Sequence, residues 1–222
     1  MKTKVTICIL TCNSMPQIVS TINSIIENTR YPHEILINDS ESTDGTKKYL
    51  SWLEKTFSHI RVMHTKKEGY VKAINTALKE IKDGDILITH DDILFPRLYL
   101  KCWLYEMVRH RDLPNLGIIT CLNGGGVSGQ EYVNGFRWVG TWCMYLLRET
   151  IEKLGYFDEN FGVGFGDDVD YTFRCMKAGL TVYTTDFAVE HHRLTDHVND
   201  DNNEEIKKKN AEYFRKKYNI EG

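Results

Sequence analysis

Runs of β-favouring residues and stretches with apolar residues at helical spacing alternate along the first half of the chain. Val5–Leu10 predicts a strand. Behind Ser14-Met15-Pro16, which supplies a cap and an early proline, Ile18, Val19, Ile22, Ile25 and Ile26 recur at helical spacing. Glu34–Ile37 predicts a second strand, and Asp44-Gly45 opens a helix carrying Leu50, Leu53 and Phe57 on one face. Ile60–His64 reads as a third strand, and the helix expected from Tyr70 to Ile81 carries Val71, Ile74, Leu78 and Ile81. Asp83-Gly84-Asp85 then turns the chain into a fourth strand, Ile86–Thr89. Strands alternating with helices through short connections predict an α/β protein, a mostly parallel sheet with helices on both faces.

The second half breaks the alternation. Leu116–Leu122 predicts another strand, and the polar, glycine-rich segment from Asn123 to Gly135 a mobile loop. Arg137–Arg148 reads as one long β-like stretch. Gly155–Gly166 is a glycine-and-aromatic loop that delivers the chain to a helix starting near Asp167 and stopping at Gly179. Thr181–Val189 predicts a last strand, running into Glu190-His191-His192-Arg193, and Asn203–Tyr218 a charged amphipathic helix. No repeat or linker divides the chain, so residues 1–222 are expected to form one domain.

In open parallel sheets, ligands bind at the carboxyl ends of strands. Three polar clusters fall at such ends: Thr11-Cys12-Asn13-Ser14, Asn38-Asp39-Ser40 and His90-Asp91-Asp92. An adjacent carboxylate pair there suits a hard divalent cation, Mg²⁺ or Mn²⁺, which takes one or two protein carboxylates and fills its shell with phosphate oxygens and water. The simpler alternative is that Asp91 and Asp92 start a turn, or cap a helix opening at Pro96. A second acidic cluster, Asp167-Asp168-Val169-Asp170, complements a helix dipole, and Asp170 with Arg174 makes an i,i+4 pair. His191 and His192 by themselves read as surface histidines at a strand end. Two acidic clusters and a histidine pair, all at strand ends or helix starts, favour a shared site.

Composition removes several classes of function. Apolar residues make up 41 % and charged residues 27 %, an ordinary globular balance. A net charge of −3 argues against a nucleic-acid partner, which needs a basic domain or stripe. No segment approaches the roughly 18 to 20 consecutive apolar residues of a spanning helix. The N-terminus runs straight into a strand pattern without a cleavage site, so no signal peptide is expected. Six cysteines lack metal or disulfide spacing and read as reduced thiols of a cytoplasmic protein. The charged C-terminal helix leaves open a peripheral membrane contact.

In order, the stretches ILTCNS, INDSESTDGT, GYVKAINTAL, LITHDDILFP, VGTWCMYLLR, LGYFDENFG, GDDVDYTFRCMKAGL and VEHH resemble the family 2 glycosyltransferases of GT-A fold, from Val5 to Arg193. The resemblance implies a Rossmann-like, mostly parallel sheet with a mixed acceptor-side half. Residues 1–95 would then form the nucleotide half, 96–195 the acceptor and catalytic half, and 196–222 the terminal helix. It also implies transfer of a sugar, with inversion, from a nucleoside diphosphate sugar (UDP-type first) to a hydroxyl of a glycan or glycolipid, with Mn²⁺ or Mg²⁺ as cofactor. Position by position, Thr11 would line the nucleobase pocket and Asp39 accept a hydrogen bond from the base. Asp92 would bind the metal, and Asp91 contact the ribose or the metal's waters. Asp168 would be the catalytic base, and His191, with His192 as the close alternative, would complete the metal site. Asn13, Asn75, Trp142 and Asp167, in the matching stretches, are the remaining expected substrate contacts. The chain departs from the common pattern at Thr89, where the family often has an acid, at Asp167, where it usually has Glu, and in the loop after Asp39, longer by one residue.

Other classes fit less well. A haloacid-dehalogenase-type phosphatase needs a nucleophilic aspartate after the first strand, where this chain has Thr11-Cys12-Asn13-Ser14. A dinucleotide-dependent dehydrogenase needs GxGxxG after a strand, and Gly124-Gly125-Gly126 lacks that spacing. A sugar nucleotidyltransferase needs a glycine-rich basic loop after the first strand. A non-catalytic nucleotide-sugar or carbohydrate-binding relative would be expected to lose Asp92, Asp168 or His191, and all three are present.

Overall fold

Val5–Thr11 (β1) is buried along its whole length, as a strand covered on both faces must be. Val5, Ile7 and Ile9 face one apolar layer, and Cys8 and Leu10 the opposite one. In the computed structural model, which describes residues 3–123, 130–133, 136–192 and 201–220, the predicted alternation continues. It runs through Gln17–Asn28 (α1), Glu34–Ser40 (β2), Thr46–Thr56 (α2), Ile60–Thr65 (β3), Tyr70–Glu80 (α3) and Asp85–His90 (β4). The helices α1 and α2 cover one face through Ile18, Ile22, Ile25, Leu50 and Leu53, and α3 covers the other through Val71, Ile74, Ala77 and Leu78.

The second half departs from its predicted form in four places. The helix expected to open at Pro96 begins only at Trp103 (α4, Trp103–Val108), after Ile93–Leu94 (β5) and an irregular segment. After Leu116–Asn123 (β6), the stretch read as a loop contains Gln130–Val133 (β7), paired with Phe136–Val139 (β8); 124–129 and 134–135 lie outside the described residues. The long β-like stretch is two strands, β8 and Cys143–Leu146 (β9), parted at Gly140, where a side chain would meet the Trp142 indole at 2.4 Å. Arg148–Leu154 (α5) precedes the glycine loop, with Glu149 in its first turn and Lys153 in its last, signals present in a stretch of the sequence for which no element was expected. Asp167–Lys177 (α6), Thr181–His191 (β10) and Asp201–Tyr218 (α7) follow as expected.

Eight strands form one mixed sheet in the order β3-β2-β1-β4-β9-β6-β10-β5. The first four are parallel, β9 runs antiparallel between β4 and β6, and β5 pairs antiparallel with the end of β10. All six cysteines are free. Among the described residues no helix is long and apolar enough to cross a membrane.

The junction of the two halves rests on Asp85, 1 % exposed. Its carboxylate accepts from the Tyr145 hydroxyl at 2.9 Å, Arg111 Nε at 2.9 Å and the Arg148 N–H at 3.0 Å, tying β4 to β9, to the segment after α4 and to α5. Breaking a buried pair by removing one partner leaves the others uncompensated. Asp85→Ala is expected to lower stability by about 3–5 kcal/mol, read as a lower urea midpoint with an unchanged slope.

Candidate active site

Register carries polar residues to one edge. Leu10 lies opposite His90, Thr11 opposite Asp39, and Asp39 opposite His64, so the carboxyl ends of four parallel strands present His64, Asp39, Thr11 and His90 in a row. Asp39 is fully buried. Its carboxylate accepts from the Ser42 N–H at 3.3 Å and lies 3.0 Å from Nδ1 of the half-exposed His64. Asn13 is exposed and adopts a left-handed backbone (φ 53°). Its side-chain oxygen accepts from the Thr43 N–H at 2.6 Å and its own N–H donates to the Ser42 hydroxyl at 2.7 Å, tying together the loops after β1 and β2.

The adjacent aspartates diverge. Asp91 turns toward the loop after β1. The Thr21 hydroxyl donates to its carbonyl at 2.8 Å, and burial pushes its carboxyl up to about 6. Asp92 instead meets His191, whose Nε2 lies 3.0 Å from its Oδ2. Pairing of β10 with β5 sets His191 opposite Ile93 and so returns it beside Asp92; His192 directs its ring toward Glu190, 4.0 Å away. His90 joins them: ligand atoms of His90, Asp92 and His191 all lie within 4.8 Å of one another. Two imidazoles and one carboxylate fit a divalent first-row ion such as Mn²⁺ better than the all-oxygen preference of Mg²⁺. His90 was missing from the sequence-derived ligands, although its place two residues before Asp92 was the available signal.

His90 and His191 border a cavity of about 690 Å³ walled by Tyr70, Trp138, Trp142 and Phe165, which Asp167 and Asp168 also line. Tyr70 donates to Thr141 Oγ1 at 2.9 Å and its hydroxyl lies 3.0 Å from His90 Nε2. Asp167 is 3 % exposed and its Oδ2 has no hydrogen-bond partner; burial pushes its carboxyl up to about 6. Asp168 accepts from the Val169 N–H at 2.9 Å and is pushed well above the ordinary carboxylate range, by burial first and by the neighbouring Asp167 charge second. Asp170 is not part of this wall. It is fully buried and bonds to Arg174 at 2.9 Å, Lys217 at 2.5 Å and the Tyr218 hydroxyl at 2.7 Å.

Asn75 also lies away from the cavity. Its amide brackets Phe157, accepting from the N–H and donating to the carbonyl, both at 2.9 Å, and so holds the glycine loop against α3. Gly69 sets the other contact of that loop: it has φ 105° and an added Cβ would lie 2.8 Å from the Gly162 carbonyl. The Asn210 amide nitrogen of α7 lies within 3.1 Å of the Phe161, Gly164 and Phe165 carbonyls, so α7 packs onto the same loop. Lys72, at the start of α3, pairs with Glu68 at 3.0 Å on the surface. The Arg137 side chain and Arg193 lie outside the described residues.

This mixed sheet and its strand-end site define a GT-A fold, and residues 6–155 match the model of the family "Glycosyl transferase family 2". The chain belongs to that family. It is similar to the O-antigen biosynthesis protein RfbC of Myxococcus xanthus (26 % identical, covering 77 % of this chain and 16 % of the relative). It is also similar to the chondroitin synthase of Pasteurella multocida strain Pm70 (18 % identical, covering 75 % and 22 %). The chain thus spans about a fifth of the length of these curated relatives. Among solved structures, it resembles the mannosyltransferase PcManGT of Pyrobaculum calidifontis in complex with GDP-Man and Mn²⁺ (TM-score 0.69, 22 % identity, 86 % of this chain and 57 % of that one). GalNAc-T7 with UDP, GalNAc and Mn²⁺ is a second (TM-score 0.72, 14 % identity, 85 % and 44 %).

The raised Asp167 carboxyl has a consequence for stability. A carboxyl raised from its ordinary value near 3.8 favours folding in its neutral form, so its contribution is full below about 4, is lost as pH rises through about 6, and stays lost above. Asp167→Asn removes the buried charge. It is expected to raise stability at pH 7.5 by about 1–3 kcal/mol, a gain that shrinks toward pH 4, read by thermal unfolding across that range.

Proposed function

We propose that the chain transfers a sugar, with inversion, from a nucleoside diphosphate sugar to a hydroxyl of a glycan or glycolipid. The observation that carries this reading is a single cavity lined by His90 and His191, which form a metal-capable group with Asp92, and by a carboxylate pair, Asp167 and Asp168. The solved relatives described with GDP-Man or UDP together with Mn²⁺ support the same donor class and metal. His90, Asp92 and His191 would hold the ion, which when bound neutralises charge on the departing diphosphate. Asp39 would accept from a nucleobase N–H, a uracil N3–H in the UDP reading, with Thr11 and Asn13 bordering the base. His64, half exposed and 3.0 Å from the same carboxylate, would share it with the nucleobase.

Asp168 would take the proton of the acceptor hydroxyl. Its raised pKa suits that task, because a base whose affinity for the proton is near working pH assists transfer best. One base facing the acceptor, opposite the leaving group, gives in-line attack and inversion. Trp142 and Tyr70 offer aromatic walls for the sugar.

Two outcomes test this reading. Asp92→Asn is expected to abolish turnover and to weaken Mn²⁺-dependent binding of UDP or GDP in calorimetry; unchanged affinity, or full activity in excess EDTA, contradicts the metal assignment. Asp168→Asn is expected to cut kcat by about a hundred- to ten-thousandfold while leaving donor affinity nearly unchanged. In the unsubstituted enzyme, kcat should fall as pH drops through an acidic limb lying well above the ordinary carboxylate value, since the base must be deprotonated. Asp168→Asn near full turnover, with Asp167→Asn inactive, would move the role to Asp167.

A further inference from the structure

The cavity has a cationic wall that the metal group and the base do not use. Lys207, Asn210, Ala211, Phe214 and Arg215 follow i, i+3, i+4, i+7, i+8 spacing, so one face of α7 lines it. Lys207 and Arg215 bracket that face, about 12 Å apart along the helix axis at 1.5 Å per residue. Lys207 is partly neutralised by Glu204 at 2.6 Å, and its ammonium lies 5.3 Å from the Phe165 ring centroid. Arg215 is exposed and pairs with no carboxylate among the described residues. The neighbouring Lys217 differs: it is bound to both Asp158 and Asp170 and anchors the helix.

The position of this wall bears on which substrate it meets. The metal-capable group sits at the ends of β4 and β10, whereas α7 packs on the glycine loop through Asn210 and on α6 through Asp170, the elements that carry Asp168. The cations therefore stand on the side of the base. A neutral saccharide would be served by the aromatic walls Tyr70, Trp138, Trp142 and Phe165 alone. A guanidinium with no carboxylate partner among the described residues and an ammonium shared with Glu204 fit an anion beside them.

We infer that the acceptor is an anionic saccharide, bearing a uronate carboxylate or a phosphate ester held by Arg215 and Lys207 while its hydroxyl faces Asp168. The inference rests on the transferase reading above and adds the acceptor's charge to it. Arg215 and Lys207 are positioning residues, so their loss acts on acceptor affinity rather than on the chemical step.

The test uses the whole chain with Mn²⁺ and UDP or GDP, whichever binds. Calorimetry compares p-nitrophenyl glucuronide and galacturonide, their neutral glucoside and galactoside counterparts, and glucose 6-phosphate. The acidic ligands are expected to bind about ten- to a hundredfold more tightly than the neutral ones. Arg215→Glu and Lys207→Glu should remove that preference without changing the melting temperature or nucleotide affinity, and Arg215→Lys should restore part of it. With an active donor, the same variants should raise the acceptor KM and leave kcat nearly unchanged. Preference for the uronides alone identifies a carboxylate, and for glucose 6-phosphate alone a phosphate ester. Equal binding of acidic and neutral ligands, binding of none of them, or weakened nucleotide rather than saccharide binding in the variants overturns the inference. Absence of Mn²⁺-dependent nucleotide binding instead overturns the transferase reading, and the saccharide comparison is then made on the protein alone.

Discussion

The contact between His191 and Asp92 joins residues 99 positions apart, and the site depends on it. Asp92 follows the fourth parallel strand, where an α/β sheet presents ligands, whereas His191 ends the last strand of the irregular half. They meet because β5, only two residues long, pairs antiparallel with the end of β10. The His192 N–H also donates to the Asp92 carbonyl at 2.7 Å, so backbone and side chain hold the junction together. The parallel half alone supplies His90 and Asp92, and a three-donor group forms only when the mixed half closes on it.

The wall carrying Asp167 and Asp168 is held by a different device, a set of amides and ion pairs that leave an oxygen of Asp167 unsatisfied. Asn75 and Asn210 saturate the carbonyls of the glycine loop, Lys217 links Asp158 to Asp170, and Arg174 completes Asp170. Polar satisfaction is thus concentrated just outside the cavity, while Asp167 keeps an orphan oxygen inside it. Buried carboxylates without partners cost stability, and they persist where a high proton affinity is useful.

Much of this was legible in the sequence for a physical reason. Parallel strands buried on both faces and helices buried on one write their periods plainly, so the elements from Val5 to His90 were expected within a few residues of where they lie. The strand-end rule then marked Thr11, Asp39 and Asp92. Local pattern failed where tertiary contacts decide. The segment after Pro96 stays irregular, and Gly140 breaks an apparently continuous strand because an indole lies against it. Asn75 looked like a cavity residue by its place in a motif, yet its amide is committed to Phe157, a partner 82 positions away that no local signal reveals. His64 became visible only through the register that sets it opposite Asp39.

The adjacent carboxylates at the end of β4 are then two functions rather than one repeated charge. Asp91 is held by α1, whose Thr21 hydroxyl donates to its carbonyl, and burial raises its carboxyl. Asp92 faces the opposite way, into two imidazoles. Divergence in the turn after β4 keeps both carboxylates at one strand end. The pair therefore joins α1, through Asp91, to the metal-capable group, through Asp92, across one peptide bond.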